Sequence, residues 1–184
     1  MKLFSTFLSF TFLFISCDSD VTPKPNAYLN LNYPQAKYQD SYNQLPYHFK
    51  YSDQAILNVQ NNLWSDLHYP KLKADINMTY QKVDNNLAEL ITDAEKLTYK
   101  HALKADNIEM YPYENRNKKI YAKLFEVSGD AASSIQFQAT DSTKHFLSGA
   151  LYFNVSPNYD SILPAINYIK KDIEKLIETL EWKN

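Results

Sequence analysis

The side chains that could do chemistry in this chain of 184 residues are few and scattered. Its one cysteine, Cys17, follows Ile15 and Ser16 directly at the end of an apolar run. A thiol placed there is the acceptor that a lipobox offers for acylation, after which cleavage makes it the new N-terminus. It has no second cysteine to pair with, so lipidation is the chemistry its position fits. The four histidines, His48, His68, His101 and His145, include no pair at metal-ligand spacing, and neither a zinc nor an iron–sulfur site is expected. Asp141, Ser142 and His145 have the residue types of an acid, a nucleophile and a base. Triads, however, draw on separate segments and need an oxyanion hole, and this stretch has no glycine to build one. It therefore reads as a turn. Gly129 and Gly149 stand alone and far apart, so no phosphate cradle is expected. Glu174 with Glu178, and Asp172 with Lys175, read as the solvated face of a helix rather than as general acid and base. No catalytic, cofactor-binding or metal residue is assigned, and by elimination a binding or assembly role is favoured over an enzyme.

The elements that would carry these residues begin with a leader. Lys2 precedes an apolar stretch rich in Phe and Leu, which has the parts of a secretory signal. It is shorter than the roughly 20 apolar residues that span a bilayer and runs without a basic flank into Cys17-Asp18-Ser19-Asp20, so cleavage is expected. Residues 1–16 are then a signal peptide of lipoprotein type. Residues 17–46, with Pro23, Pro25, Pro34 and Pro46, read as a lipidated tether whose Tyr28, Tyr33, Tyr38 and Tyr42 can lie against the domain. Residues 47–184 read as a single domain. Acidic and basic residues are nearly balanced and interspersed, so no nucleic-acid footprint is present. Fifteen Tyr and ten Phe against two Gly point to aromatic strands with few flexible loops. After Cys17 nothing is apolar enough to cross a membrane as a helix, which leaves the lipid as the expected anchor.

Within the domain, Tyr47, Phe49 and Tyr51 alternate with His48 and Lys50 as a first strand, and Leu72 to Tyr80 alternates more clearly as a second. Asp84 or Asn85 is expected to cap a helix of about 20 residues whose stripe runs Leu87, Leu90, Ile91, Ala94, Leu97, His101, Ala102 and Ala105. Strands are expected over 119–127, 134–140 and 145–155, joined by turns at Ser128-Gly129-Asp130 and at 141–144 into an antiparallel meander. Gln136, Gln138 and Thr140 share one face of the middle strand, so one side of the sheet should be wet or polar-lined. A last helix starts near Ser161, with Pro164 in its first turn and a stripe of Ile162, Ile166, Ile169, Ile173, Leu176 and Leu180. That stripe is expected in the core rather than at a coiled-coil seam. Lys170, Lys171, Glu174 and Glu178 would then face outward. The fold class is α+β: an antiparallel sheet of about five or more strands covered by two amphipathic helices, an element order similar to PsbP-like domains.

Several runs are too idiosyncratic to follow from helix and strand patterning: VTPKPNAY after the lipobox, NNLAELITDAEKLTYKHALKAD, and the stretch from Asp141 to Lys183. With them the chain resembles the gliding-motility lipoprotein GldD family of the Bacteroidota. The run YSDQAILNVQNN at 51–62 carries least of the likeness and reads as a variable loop. The resemblance implies a cell-envelope lipoprotein, facing the periplasm, that serves gliding and the associated type IX secretion system through protein partners. It transfers no enzymatic activity and no cofactor. The alternative of another class is a periplasmic small-ligand-binding protein or hydrolase on an α+β scaffold, which a concave polar pocket would favour. Asp141-Ser142-Thr143 and Asp160-Ser161-Ile162 also resemble the O-glycosylation acceptor of that bacterial group, making Ser142 and Ser161 candidate sites, with Ser161 better explained as a helix cap.

Overall fold

Alternation builds the centre of the molecule. The computed structural model describes residues 33–41, 45–60, 62–101, 105–129, 131–154 and 159–183, so the signal segment, Cys17 and the first prolines lie outside the described residues. Strand β6 (Ala74–Lys82) buries Ala74, Ile76 and Met78 on one face and turns Asp75 and Asn77 to the other. It starts later than Leu72 because Lys73 adopts a positive φ of 49° and the amide of Leu72 closes a turn on the Tyr69 carbonyl at 3.1 Å. Two strands that the sequence pattern conceals precede it, β4 (Ile56–Val59) and β5 (Ser65–Tyr69). The variable loop expected over 51–62 is therefore in part an edge strand.

Helix α1 (Leu87–His101) crosses from this hairpin set to a second meander of four strands, one more than expected. They are β7 (Ala105–Asn115), β8 (Ile120–Gly129), β9 (Ile135–Thr140) and β10 (His145–Phe153). The order β4-β5-β6-β10-β9-β8-β7 gives one seven-stranded antiparallel sheet. Helix α1 ends before Ala105, which belongs to β7, and its cap is Asn86 rather than Asp84 or Asn85: the Asn86 carbonyl accepts from Leu90 N at 3.0 Å. The expected stripe is also rotated. Leu97 is 57 % exposed and Thr98 is buried in its place.

Helix α2 (Tyr159–Thr179) covers the other face, burying Ile166, Ile169, Ile173, Leu176 and Ile177 against Ile76, Leu124, Ile135, Leu147 and Leu151. The helix begins two residues before Ser161, so Ser161 lies inside its first turn rather than capping it, and Pro164 falls in the second turn. The first expected strand is split at Phe49. Strand β1 (Tyr38–Asp40) pairs with β3 (Lys50–Ser52), while β2 (Tyr47–His48) pairs with β11 (Glu181–Trp182) at the end of the chain. Both short ribbons sit outside the main sheet, and β3 lies along α2.

The turn between β9 and β10 is organised by one carboxylate. Asp141 accepts from the backbone amides of Thr143, Lys144 and His145 at 2.9, 2.7 and 2.8 Å, and from the Thr143 hydroxyl. Burial pushes its pKa up, but these donors outweigh it and hold it at about 2. An acid lowered in the fold contributes stability that is present above its unfolded value and lost as pH falls toward the folded one. Asp141→Asn is therefore expected to cost on the order of 1 kcal/mol near neutral pH, a figure discounted for partial exposure. Urea melts across acid pH check it: the gap between variant and parent should close as pH drops through the interval between 3.8 and about 2.

Candidate functional site

The histidines do not converge. His48 faces Glu181 at 3.5 Å, His68 bonds Asp75, and the side chain of His101 is outside the described residues. His145 Nδ1 meets the Tyr80 hydroxyl at 2.8 Å, and its ring stacks on Trp182 with centroids 5.1 Å apart. Burial holds the His145 imidazole below its ordinary pKa. The Asp141 carboxylate is engaged by the amides of the turn between β9 and β10, that of His145 among them. No group of three or more His, Cys, Asp or Glu is placed to hold a metal ion among the described residues. Ser142 is exposed at the tip of the turn with φ 68°, and Ser161 is exposed on the first turn of α2.

Asp172 departs from the sequence reading. It is 3 % exposed, not on the solvated face, and accepts hydroxyl hydrogen bonds from Tyr38 at 2.9 Å and Tyr69 at 3.0 Å. Burial raises its pKa despite these donors and Ser52, and burial also raises both tyrosines well above their ordinary range. Tyr33 stacks on Tyr168 of the same helix at 4.8 Å. Two tyrosines of the segment read as a tether thus clasp α2, which fixes where the chain from Cys17 meets the domain. Lys170 is likewise not a free surface cation: it is half-buried, bonds Glu126 and lies 4.7 Å over the Tyr111 ring. Lys171, Glu174 and Glu178 remain exposed.

The two edges of the main sheet differ in what they offer. At the β7 edge Pro112 removes a backbone donor and Glu109 and Glu114 bring charge, two devices that discourage pairing. At the opposite edge, no strand pairs with the outer side of β4 among the described residues. The turn after β4 closes through Gln60 N on the Trp64 carbonyl at 2.8 Å and Leu63 N on the Gln60 carbonyl at 3.2 Å, with Leu63 at φ 65°. It leaves Ile56, Val59, Leu63 and Trp64 exposed by 54, 42, 38 and 47 %. Unpaired backbone groups beside an apolar rim are what strand addition by another chain requires. Sequence reasoning passed over this site because β4 buries no residue and so shows no alternation.

No helix among the described residues is long and apolar enough to cross a membrane. Comparison with curated proteins returns no match. The family description "Gliding motility lipoprotein GldD" matches residues 18–182, nearly the whole chain. A match of that extent shows that the chain belongs to the GldD family of gliding motility lipoproteins.

Proposed function

We propose that the chain is a non-enzymatic accessory component of the gliding machinery and its associated type IX secretion system, held to a membrane by acyl chains on Cys17 and facing the periplasm. Residues 1–16 are removed, 17–46 carry the lipid and lead to the domain, and 47–184 form the part that meets protein partners. The observation that carries the partner contact is the β4 edge with Ile56, Val59, Leu63 and Trp64. A partner strand added there would satisfy the free backbone groups and cover the apolar rim at once.

A photoreactive residue placed at Ile56 or Trp64 in living cells tests this contact, with Lys171 on α2 as the comparison site. The expected result is one discrete adduct from the rim, containing a gliding or secretion protein. In the same cells Trp64→Glu should slow gliding and secretion at an unchanged protein level. Adducts from Lys171 alone, or normal motility of the Trp64→Glu strain, would count against the placement. Intact-mass measurement of the native protein reads the modifications. A diacylated or triacylated N-terminal Cys17 is expected and should vanish in Cys17→Ala, while sugar increments removed by Ser142→Ala or Ser161→Ala would mark those serines as glycosylated. A native mass equal to polypeptide plus lipid would exclude that second modification.

A further inference from the structure

The face of the sheet beneath α1 is polar, yet it is covered. Strand register sets Gln138, Ser148 and Thr79 side by side in one row and Phe125, Gln136, Ala150 and Asn77 in the next. Helix α1 lies over β9 and β10 with Ala94, Leu97 and Thr98, and between helix and sheet is a cavity of about 280 Å³. It opens across β10 toward β6, where Asn77 is exposed.

Two buried amides face this cavity with one group each unanswered. Gln136 and Gln138 are each 6 % exposed. Thr98 Oγ1 donates to Gln136 Oε1 at 2.7 Å, which leaves Gln136 Nε2 without a partner. Gln138 Nε2 donates to Glu95 Oε1 at 3.2 Å, which leaves Gln138 Oε1 without one. Glu95 is itself fixed by Lys123 at 2.8 Å, so the Gln138 amide is anchored in one orientation. A donor and an acceptor on neighbouring rows are thus buried and unpaired, whereas buried polar groups ordinarily find partners.

The lining limits what could answer them. It contains no charged side chain, so a carboxylate, phosphate or ammonium would enter without a counter-charge. Hydroxyl groups both donate and accept, and so match the two amides and the hydroxyls of Thr79 and Ser148 together. The Phe125 and Tyr152 rings with Leu97 and Ala150 supply apolar surface for a carbon face. A peptide strand fits less well, because the backbone groups of β6, β10 and β9 are committed to the sheet and leave no edge here to extend. The volume, near the lower end of the roughly 300–1,000 Å³ usual for ligand pockets, suits a small guest. We propose that the cavity between α1 and the sheet binds a neutral saccharide, about one sugar ring in size. This site is separate from the β4 edge, and its test does not depend on the contact proposed there.

The lipidated full chain in a sugar-free detergent is the sample. Saturation-transfer NMR is run at millimolar concentration with glucose, galactose, mannose and N-acetylglucosamine, and with glucuronate and N-acetyl-trialanine amide as charged and peptide probes. At least one neutral sugar should receive transfer. Its affinity should fall at least tenfold in the Gln136→Met/Gln138→Met double variant, which conserves volume, removes the unpaired atoms and is expected to melt no lower than the parent. Ser148→Ala and Asn77→Ala, at the open side, should each weaken binding and keep the test decisive if the double variant does not fold. Transfer to none of the four sugars, equal or stronger transfer to glucuronate or the peptide, or transfer that survives all these substitutions would overturn the proposal.

Discussion

Ile173→Ala is expected to lower the stability of the chain by about 2–5 kcal/mol, because deleting a large side chain from a packed core removes its burial and leaves a cavity that the surroundings fill incompletely. Ile173 is 0 % exposed and sits with Ile169 and Leu176 on the face of α2 that covers the sheet. The same helix gives the control, since Lys171 and Glu174 are exposed and their alanine variants should melt with the parent. Chemical denaturation of the purified protein measures the difference. In cells the variant should be depleted by proteolysis, and gliding should fall as a consequence of level. A stripe that served to dock a partner would behave in the opposite way, leaving the melting temperature of Ile173→Ala unmoved while partner capture disappeared. The burial of Ile166, Ile169 and Ile173 in one cluster with the sheet favours the first outcome.

Gly149→Ala should cost about 1–3 kcal/mol although it adds a single methyl group, since overpacking a filled core forces side chains off their preferred rotamers. Gly149 and Phe137 are direct neighbours across β10 and β9, and the Phe137 ring lies over the glycine. A Cβ at Gly149 would stand 2.4 Å from both Cε1 and Cζ of that ring, which is 2 % exposed and closely surrounded. Phe137→Leu should relieve the clash, so the double variant is expected to lose less than the two single losses added together. A double-mutant cycle by urea denaturation reads that coupling, and strict additivity would show that the ring is not the obstacle.

How far the sequence reached depended on whether the forces at a position were local. The alternation at β6 and in the meander β8 to β10 was legible because each of those strands has one face in the core, and a period of two follows from the pleat. Both helices were legible for the corresponding reason, since their apolar residues recur with the helical turn. Strands β4 and β7 were not. They form the two edges, most of their residues face water, and no core selects their pattern. The split of the first strand at Phe49 was hidden too, because its halves pair with β11 and β1, and register with distant segments leaves no local trace.

By itself the sequence determined the α+β class and the apolar stripe that makes α2 a core helix, both of which follow from composition and short-range period. Only the tertiary structure decided the fate of the polar residues. Asp172 looks like one more charge on a helix surface until Tyr38 and Tyr69, 134 and 103 residues away, close over it. Gln136 and Gln138 read as a polar strand face, but α1 lies across that face and leaves each amide one group short of a partner. Whether such a group meets water, protein or a ligand depends on which element covers it, and that is set by long-range packing that a local pattern does not encode.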